Sequence, residues 1–504
     1  MALKTSEPDQ LSTYNERSVG HPLLSETYVV QTMPAVLGKR DMAITAIMAL
    51  FLLTNAVSGA AGGPVSLVYL AFGAIAFFVP CIIATIQLGV LLPNEGSLYN
   101  WTTRSLNRFW GLFIGLCFWL SGVLAVITAG SAFITTLQGL NPAWLTEPWQ
   151  QGLAILGLIF VAAMLGLQRM RTIQNFINIT FILTMLSVFL VGAAALVWLG
   201  AGHPSMTNFS DSAGWSPTPA TFFLFAIITL NFIGASGPMN MAGELRGRDS
   251  GEMLSTIRQH LFIGAPIVVV LYTVVTTSVL IVRGSNVGPF DGFTAIQQTL
   301  GTIPADIAVI CYLAYLVAAM VFYTYASARI LMAAGIDRFF PVRFARLNRN
   351  RAPSFSIIFH ALATAIIVFS VYIIVPLLTT VGGSAINTTI EFYTVLAAAC
   401  TLAWTVATTF FFVDLVWLYR RNPAWFCSML QFPLWLIWCS VVAGGAACVT
   451  TIIAILVYPW TPLISSGMWW ILVGGLMFAI ATIATIVSQF LSGDAAFEQM
   501  SEFS

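Results

Sequence analysis

The sequence predicts an all-α polytopic membrane protein with twelve transmembrane helices, and three observations carry that prediction. Of 504 residues, 58% are apolar and only 8% are Asp, Glu, Lys or Arg, where a soluble domain carries roughly a quarter; the mean hydropathy is +0.89. Uncharged apolar runs of about 20 residues, the length that crosses a bilayer, recur along the whole chain. The basic residues fall between those runs in alternating gaps. A transmembrane barrel is excluded, because its segments are about 10 residues long and alternate in polarity. The formal net charge of +1 supplies no footprint for nucleic acid.

Residues 1–38 are polar, contain Pro8, Pro22 and Pro34, and hold no apolar run of signal-peptide length. They read as a flexible tail with no fold of its own. Spans are then expected at 42–61, 65–92, 111–138, 149–167, 173–200, 219–242, 260–282, 303–330, 355–379, 388–418, 430–458 and 466–491. Lys4, Arg17, Lys39 and Arg40 precede span one, Arg104 and Arg108 follow span two, and Arg169 and Arg171 follow span four. Arg246, Arg248 and Arg258 follow span six; Arg329, Arg338, Arg343, Arg346, Arg349 and Arg351 fall at or after the end of span eight; Arg420 and Arg421 follow span ten. Of the 20 basic residues only Arg283 falls on the other face. Lys and Arg accumulate on the cytoplasmic side, so both termini are expected there, in an integral protein of the plasma membrane.

Backbone that leaves the helix at membrane depth must be buried in protein or line a cavity, so breaks point to the site. Span six carries the clearest one, Leu230 through Asn240. Pro238 removes a donor, Gly234 and Gly237 weaken the helix, and Asn231, Ser236 and Asn240 bring polar groups. A freed carbonyl and amide there suit an ion or a zwitterion; a kinked helix packed through small residues is the other reading. Span one has no glycine or proline in its middle, Ile44 to Leu50, and its Gly59, Gly62, Gly63 and Pro64 form the turn into span two. Residues 96–109 and 289–302 each have the length of a short interfacial helix and fall on opposite faces, as two inverted repeats would place them.

Charged groups are almost missing from the spans. Asp306 and Glu391 sit in the outer first turns of spans eight and ten, Asp414 sits near the inner end of ten, and His360 reads as a satisfied packing residue rather than a proton shuttle. A central pocket must be built from backbone, hydroxyls, amides and aromatics, which suits a zwitterion or a neutral amine. The seven cysteines, Cys81, Cys117, Cys311 and Cys400 among them, lie in apolar spans without metal-ligand spacing and read as small buried residues. There is no paired-aspartate motif, nucleophile motif or phosphate-binding loop. No enzyme activity, metal or cofactor is expected.

Three stretches resemble the amino acid, polyamine and organocation transporter family. Ala61 to Val65 is similar to its gly-gly-pro entry to helix two, with Leu92 to Trp101 similar to the stretch that follows that helix. Phe232 to Glu244 resembles its broken sixth helix and acidic end, and Ser327 to Pro353 resembles its loop between helices eight and nine. The resemblance covers about residues 40 to 490. It implies a leucine-transporter-type fold, a 5+5 inverted repeat plus two C-terminal helices. The expected division is a cytoplasmic tail 1–38, a first repeat 39–200, an extracellular loop 201–218, a second repeat 219–421, helices eleven and twelve in 422–491, and a cytoplasmic tail 492–504.

The resemblance also implies a secondary transporter of an amino acid or related small amine. Thr45, Ala46, Met48 and Ala49 of span one, Asn231, Phe232, Gly234 and Ser236 of span six, and Tyr323 of span eight would then face the substrate. The family's gly-x-gly unwinding in helix one aligns near Met48, Ala49 and Leu50. Ser236 stands where some antiporters carry a glutamate, span five has no lysine, and Ala318 and Ala319 lack the hydroxyls of a sodium site. These departures keep open a second reading, a non-transporting substrate sensor or accessory subunit. Arg329 and the arginines of 338–351 are explained by topology, with pairing to Glu244 in an inner gate as the other reading, and the direction of Tyr325 is open.

Overall fold

The computed structural model describes residues 22–247, 251–288, 290–378, 385–460 and 464–501. Its helices, in chain order, are α1 Leu24–Thr32, α2 Lys39–Leu50, α3 Leu53–Gly59, α4 Val65–Leu91, α5 Ser97–Ser105, α6 Arg108–Leu140, α7 Pro148–Gly166 and α8 Met170–Gly200. They continue as α9 Phe223–Leu230, α10 Glu252–Val282, α11 Asp291–Leu300, α12 Thr302–Ile336, α13 Ser354–Ile374, α14 Ala385–Arg421, α15 Leu434–Val457 and α16 Ser466–Ser501. Among the described residues no strand forms beyond a one-residue bridge between Leu37 and Leu245. Among the described residues ten helices are long and apolar enough to cross a membrane, and α2 with α3, bent by 44° at their junction, makes an eleventh if the pair is one span. The stretch expected as span six is broken: α9 stops at Leu230, residues 231–236 are turns, and Gly237–Glu244 is a tight 3₁₀ helix.

The long helices α6, α12 and α14 hold the middle of the molecule. The windows over α6 and α14 are 78% buried, while those over α7 and α8 are 28% and 33% buried and turn Phe160, Ile179 and Phe189 outward. An apolar exterior of this kind is stable in lipid and not in water. Two helices widen locally. Proline lacks an N–H and its ring crowds the carbonyl four residues earlier, and a π-helical turn precedes each of two prolines: Ala74–Phe78 before Pro80 and Ser370–Ile374 before Pro376.

Three expectations change. Part of the 1–38 tail is helical: α1 buries Ser25 and Val29, and Val29 packs with Met33 and Met332 of α12. His360 is buried beside Trp119, at 6.2 Å between ring centroids, but neither ring nitrogen has a hydrogen-bond partner among the described residues, so it is packed without being satisfied. Of the seven cysteines expected as small buried residues of the spans, Cys427 lies in the link between α14 and α15 and is exposed, and Cys439 of α15 is exposed on its outer side. The Glu391 side chain and the rest of the C-terminal tail beyond 501 lie outside the described residues.

Candidate functional site

Helix one breaks without glycine. α2 ends at Leu50, Phe51 and Leu52 are extended (φ −97° and −130°), and α3 restarts at Leu53. A break strands the last carbonyls of one segment and the first amides of the next, and in lipid they need partners from the protein. Tyrosines from α10 and α12 supply them. The Tyr272 hydroxyl donates to the Leu50 carbonyl at 2.9 Å and accepts from the Leu52 amide at 3.0 Å. Tyr315 donates to the Met48 carbonyl at 3.0 Å and also meets the Phe51 carbonyl. Tyr312 accepts from the Thr54 amide at 3.2 Å, and Tyr323 donates to the Ala49 carbonyl at 2.9 Å.

The break in the sixth segment faces this one. Gly234 has φ +107°, a conformation only glycine adopts freely, and a Cβ there would come within 3.2 Å of the Trp404 ring. Between the two breaks lies a cavity of about 50 Å³, walled by Ala49, Phe51 and Leu52 of the first break, Ile233 of the second, and Tyr323, Cys400 and Trp404. Leu50, Asn55, Ala125, Thr128, Ala129 and Ala397 complete it. No charged side chain lines it. Among the described residues the Trp404 Nε1–H, buried in this wall, has no hydrogen-bond partner, and neither does Asn231 Oδ1 at the start of the second break. Trp404 is held by edge contacts with Phe118 and Tyr323, at 5.5 and 5.8 Å between centroids.

Of the nine residues named from the sequence, Ala49 and Tyr323 line this cavity and Gly234 lies against its Trp404 wall. The others turn elsewhere. Thr45 donates to the Asp41 carbonyl and to Gln174 of α8, and Ala46 sits where Gly264 of α10 comes close. Met48 contributes its carbonyl to Tyr315. Phe232 stacks on Phe78 at 4.7 Å and meets Tyr272 edge-on. Asn231 and Ser236 are buried outside the cavity lining. Trp404 and Thr128 carry no motif in the sequence, and Cys400, expected as a small packing residue, lies in the cavity wall. Tyr272, Tyr312 and Tyr315 carry a signal in the sequence, since a hydroxyl within an apolar span has to find a partner there.

Toward the face that carries the clustered arginines, here the basic face, the molecule is sealed. Arg329 lies six residues along α12 from Tyr323, about 9 Å at the helical rise. It is wholly buried, donates from Nη2 to Glu244 at 2.6 Å, stands 3.5 Å from Glu95, and lies over the Tyr325 ring at 4.4 Å. Tyr325 donates its hydroxyl to Glu244, and Glu95 accepts from the Gly243 amide at 2.7 Å. Arg329 thus pairs with Glu244, whereas no arginine of 338–351 does so among the ion pairs of the described residues. Asn240 meets Ser97 of α5, and Asp414 of α14 accepts from Thr102 at 2.8 Å.

Beneath that cluster the segment from α1 to α2 forms a strap. The Ser25 amide and hydroxyl donate to Asp337 at 2.7 and 2.9 Å, and Tyr99 donates to the same carboxylate at 2.9 Å. Glu26 pairs with Arg104 at 3.4 Å, the Arg351 guanidinium donates to the Thr32 carbonyl at 2.9 Å, and the amides of Val36 and Leu37 donate to the Glu244 carbonyl, each at 2.9 Å. Burial pushes the Asp337 carboxyl up to about 6, against the hydrogen bonds from Ser25 and Tyr99 that favour its ionised form. Burial also raises Glu26, with Arg104 opposing.

The sequence is similar to those of known permeases. A family model described as amino acid permease matches residues 41–480. A putative histidine permease of Bacillus subtilis is 22% identical over 53% of this chain and 57% of its own length. The polyamine transporter PUT1 of Oryza sativa is 27% identical over 27% of this chain and 26% of its own. The branched-chain amino acid permease BcaP of Lactococcus lactis is 22% identical over 60% of this chain and 68% of its own. The chain spans little more than half the length of the first of these relatives and about a quarter of the second.

Proposed function

Because the chain belongs to the amino acid permease family, we propose that it moves an amino acid or related small amine across the membrane by alternating access. The observation that carries the reading is the cavity at the meeting point of two broken helices, with a seal between it and one face. Support for substrate chemistry comes from its walls. The Trp404 N–H is a donor placed for a carboxylate, and the aromatic faces and the Ala49 carbonyl suit an ammonium. An ammonium that reaches the Ala49 carbonyl competes with the Tyr323 hydroxyl, so binding releases a contact between α12 and helix one.

At about 50 Å³ the cavity holds one or two water-sized molecules. Loading requires it to widen on the side away from the seal; release requires the Arg329 cluster to part. We read the two halves as inverted repeats, twelve spans in all, with the basic face cytoplasmic. The short helices α5 and α11, each following the second long helix of its half, support that reading. Histidine, polyamine and branched-chain relatives set the candidates to test first. The test is uptake of a labelled amino acid and amine panel into proteoliposomes carrying wild type or Thr128→Trp. Saturable uptake lost in the variant is expected; uptake unchanged by the variant removes the cavity assignment, and no uptake of any candidate removes the transport reading.

A further inference from the structure

A second concavity lies at the basic face, about 910 Å³ in volume, between the strap helix and the loop that follows α12. That is within the size range of small-molecule sites, about 300–1,000 Å³. One wall is Leu24 and Tyr28 of α1; the other is Arg338, Val342, Arg346 and Leu347. Leu24, Tyr28 and Val342 are exposed although apolar, so the rim joins greasy and cationic groups at the level where a long membrane helix ends. Arg343, Arg346, Arg349 and Arg351 are also exposed. The two nearest acids are engaged elsewhere, Asp337 with Ser25 and Tyr99, Glu26 with Arg104 and Asn100. Among the described residues Arg343, Arg346 and Arg349 form no ion pair. Charge sorting across a membrane asks only for basic residues on this face. It does not ask that they rim a groove with an apolar opposite wall.

We propose that this groove binds the headgroup of an anionic phospholipid from the leaflet on the basic face, and that the lipid fastens the strap over the Arg329 seal. A phosphate beside Arg346 leaves the acyl chains level with Leu24, Tyr28 and Val342, the arrangement of an interfacial lipid site. The strap is fixed at its start by Asp337, at its end by Arg351, and beyond it by the Glu244 carbonyl. A ligand between α1 and the loop therefore bears on the gate without entering the cavity. The inference is independent of which substrate crosses the membrane.

The test uses the full chain in vesicles of phosphatidylcholine alone, or with phosphatidylserine added, and follows hydrogen exchange of the 24–38 amides. Phosphatidylserine should slow that exchange by on the order of tenfold or more, since each basic residue near an anionic surface adds several-fold. The triple variant Arg343→Gln, Arg346→Gln, Arg349→Gln, all at exposed positions, should exchange at the same rate in both vesicles. Equal wild-type exchange in the two vesicles overturns the proposal, as does a lipid response retained in the variant. Full protection by soluble glycerophosphoserine in phosphatidylcholine vesicles assigns the groove to a free anion and overturns the lipid.

Discussion

A tyrosine hydroxyl at membrane depth must bond within the protein, and here four of them hold open a break that the sequence does not announce with glycine or proline. Tyr272 is the sharpest case, since its hydroxyl serves one amide and one carbonyl on either side of Phe51. Tyr272→Phe strands both groups, and each buried unsatisfied group costs roughly 1–3 kcal/mol. The variant should melt at lower temperature in detergent and lose uptake; an unchanged melt would mean that the break is held otherwise. Gly234→Ala combines a left-handed backbone with a contact 3.2 Å from Trp404. A cost of roughly 1–3 kcal/mol is expected, with substrate affinity falling more than expression, as a binding titration would show. These residues show what the sequence can and cannot say about where side chains point. Glycine, proline and motif spacing locate a break along the chain; they do not say which way Thr45 or Phe232 turns, because helix rotation is set by packing against α8 and α4.

The strap and the Arg329 cluster work as elements rather than single contacts. Removing one partner of a buried ion pair costs up to about 3–5 kcal/mol, and less here because Arg329 keeps Glu95 at 3.5 Å. Glu244→Gln should therefore destabilise the sealed state and expose the basic-face end of the cavity, read as faster labelling of a cysteine placed at Tyr325. Deleting residues 22–36 should act in the same direction by a smaller margin, because the buried pair itself remains. Slower labelling in either variant would contradict the seal. The strap was illegible in the sequence for a physical reason: α1, LSETYVVQT, is short, caps itself poorly and owes its helix to Asp337, Arg104 and Arg351, which lie far along the chain. The long helices were legible because apolar length alone specifies them. The break in span six showed in Gly234, Gly237 and Pro238; the break in span one, held by distant tyrosines, did not.

For the molecule as a whole, buried acids near the basic face tie stability to pH. Burial holds Asp337 at about 6, above its ordinary 3.8. The folded protein thus holds that proton more tightly than the unfolded chain does. Its stabilising contribution is full at low pH and is lost as pH rises through about 6. Melting of wild type compared with Asp337→Asn should show the difference shifting against wild type between about pH 4 and 6 and level above; a flat difference would place that carboxyl in water. The account as a whole rests on one cavity that opens to one side at a time, and the native Cys400 in its wall reports on it. In a Cys427→Ser, Cys439→Ser background, an impermeant maleimide applied from the face opposite the arginines should label Cys400, and a transported amino acid should slow that labelling. Glu244→Gln should shift labelling to the basic face. Cys400 labelling that is indifferent to substrate and to Glu244 would contradict the account.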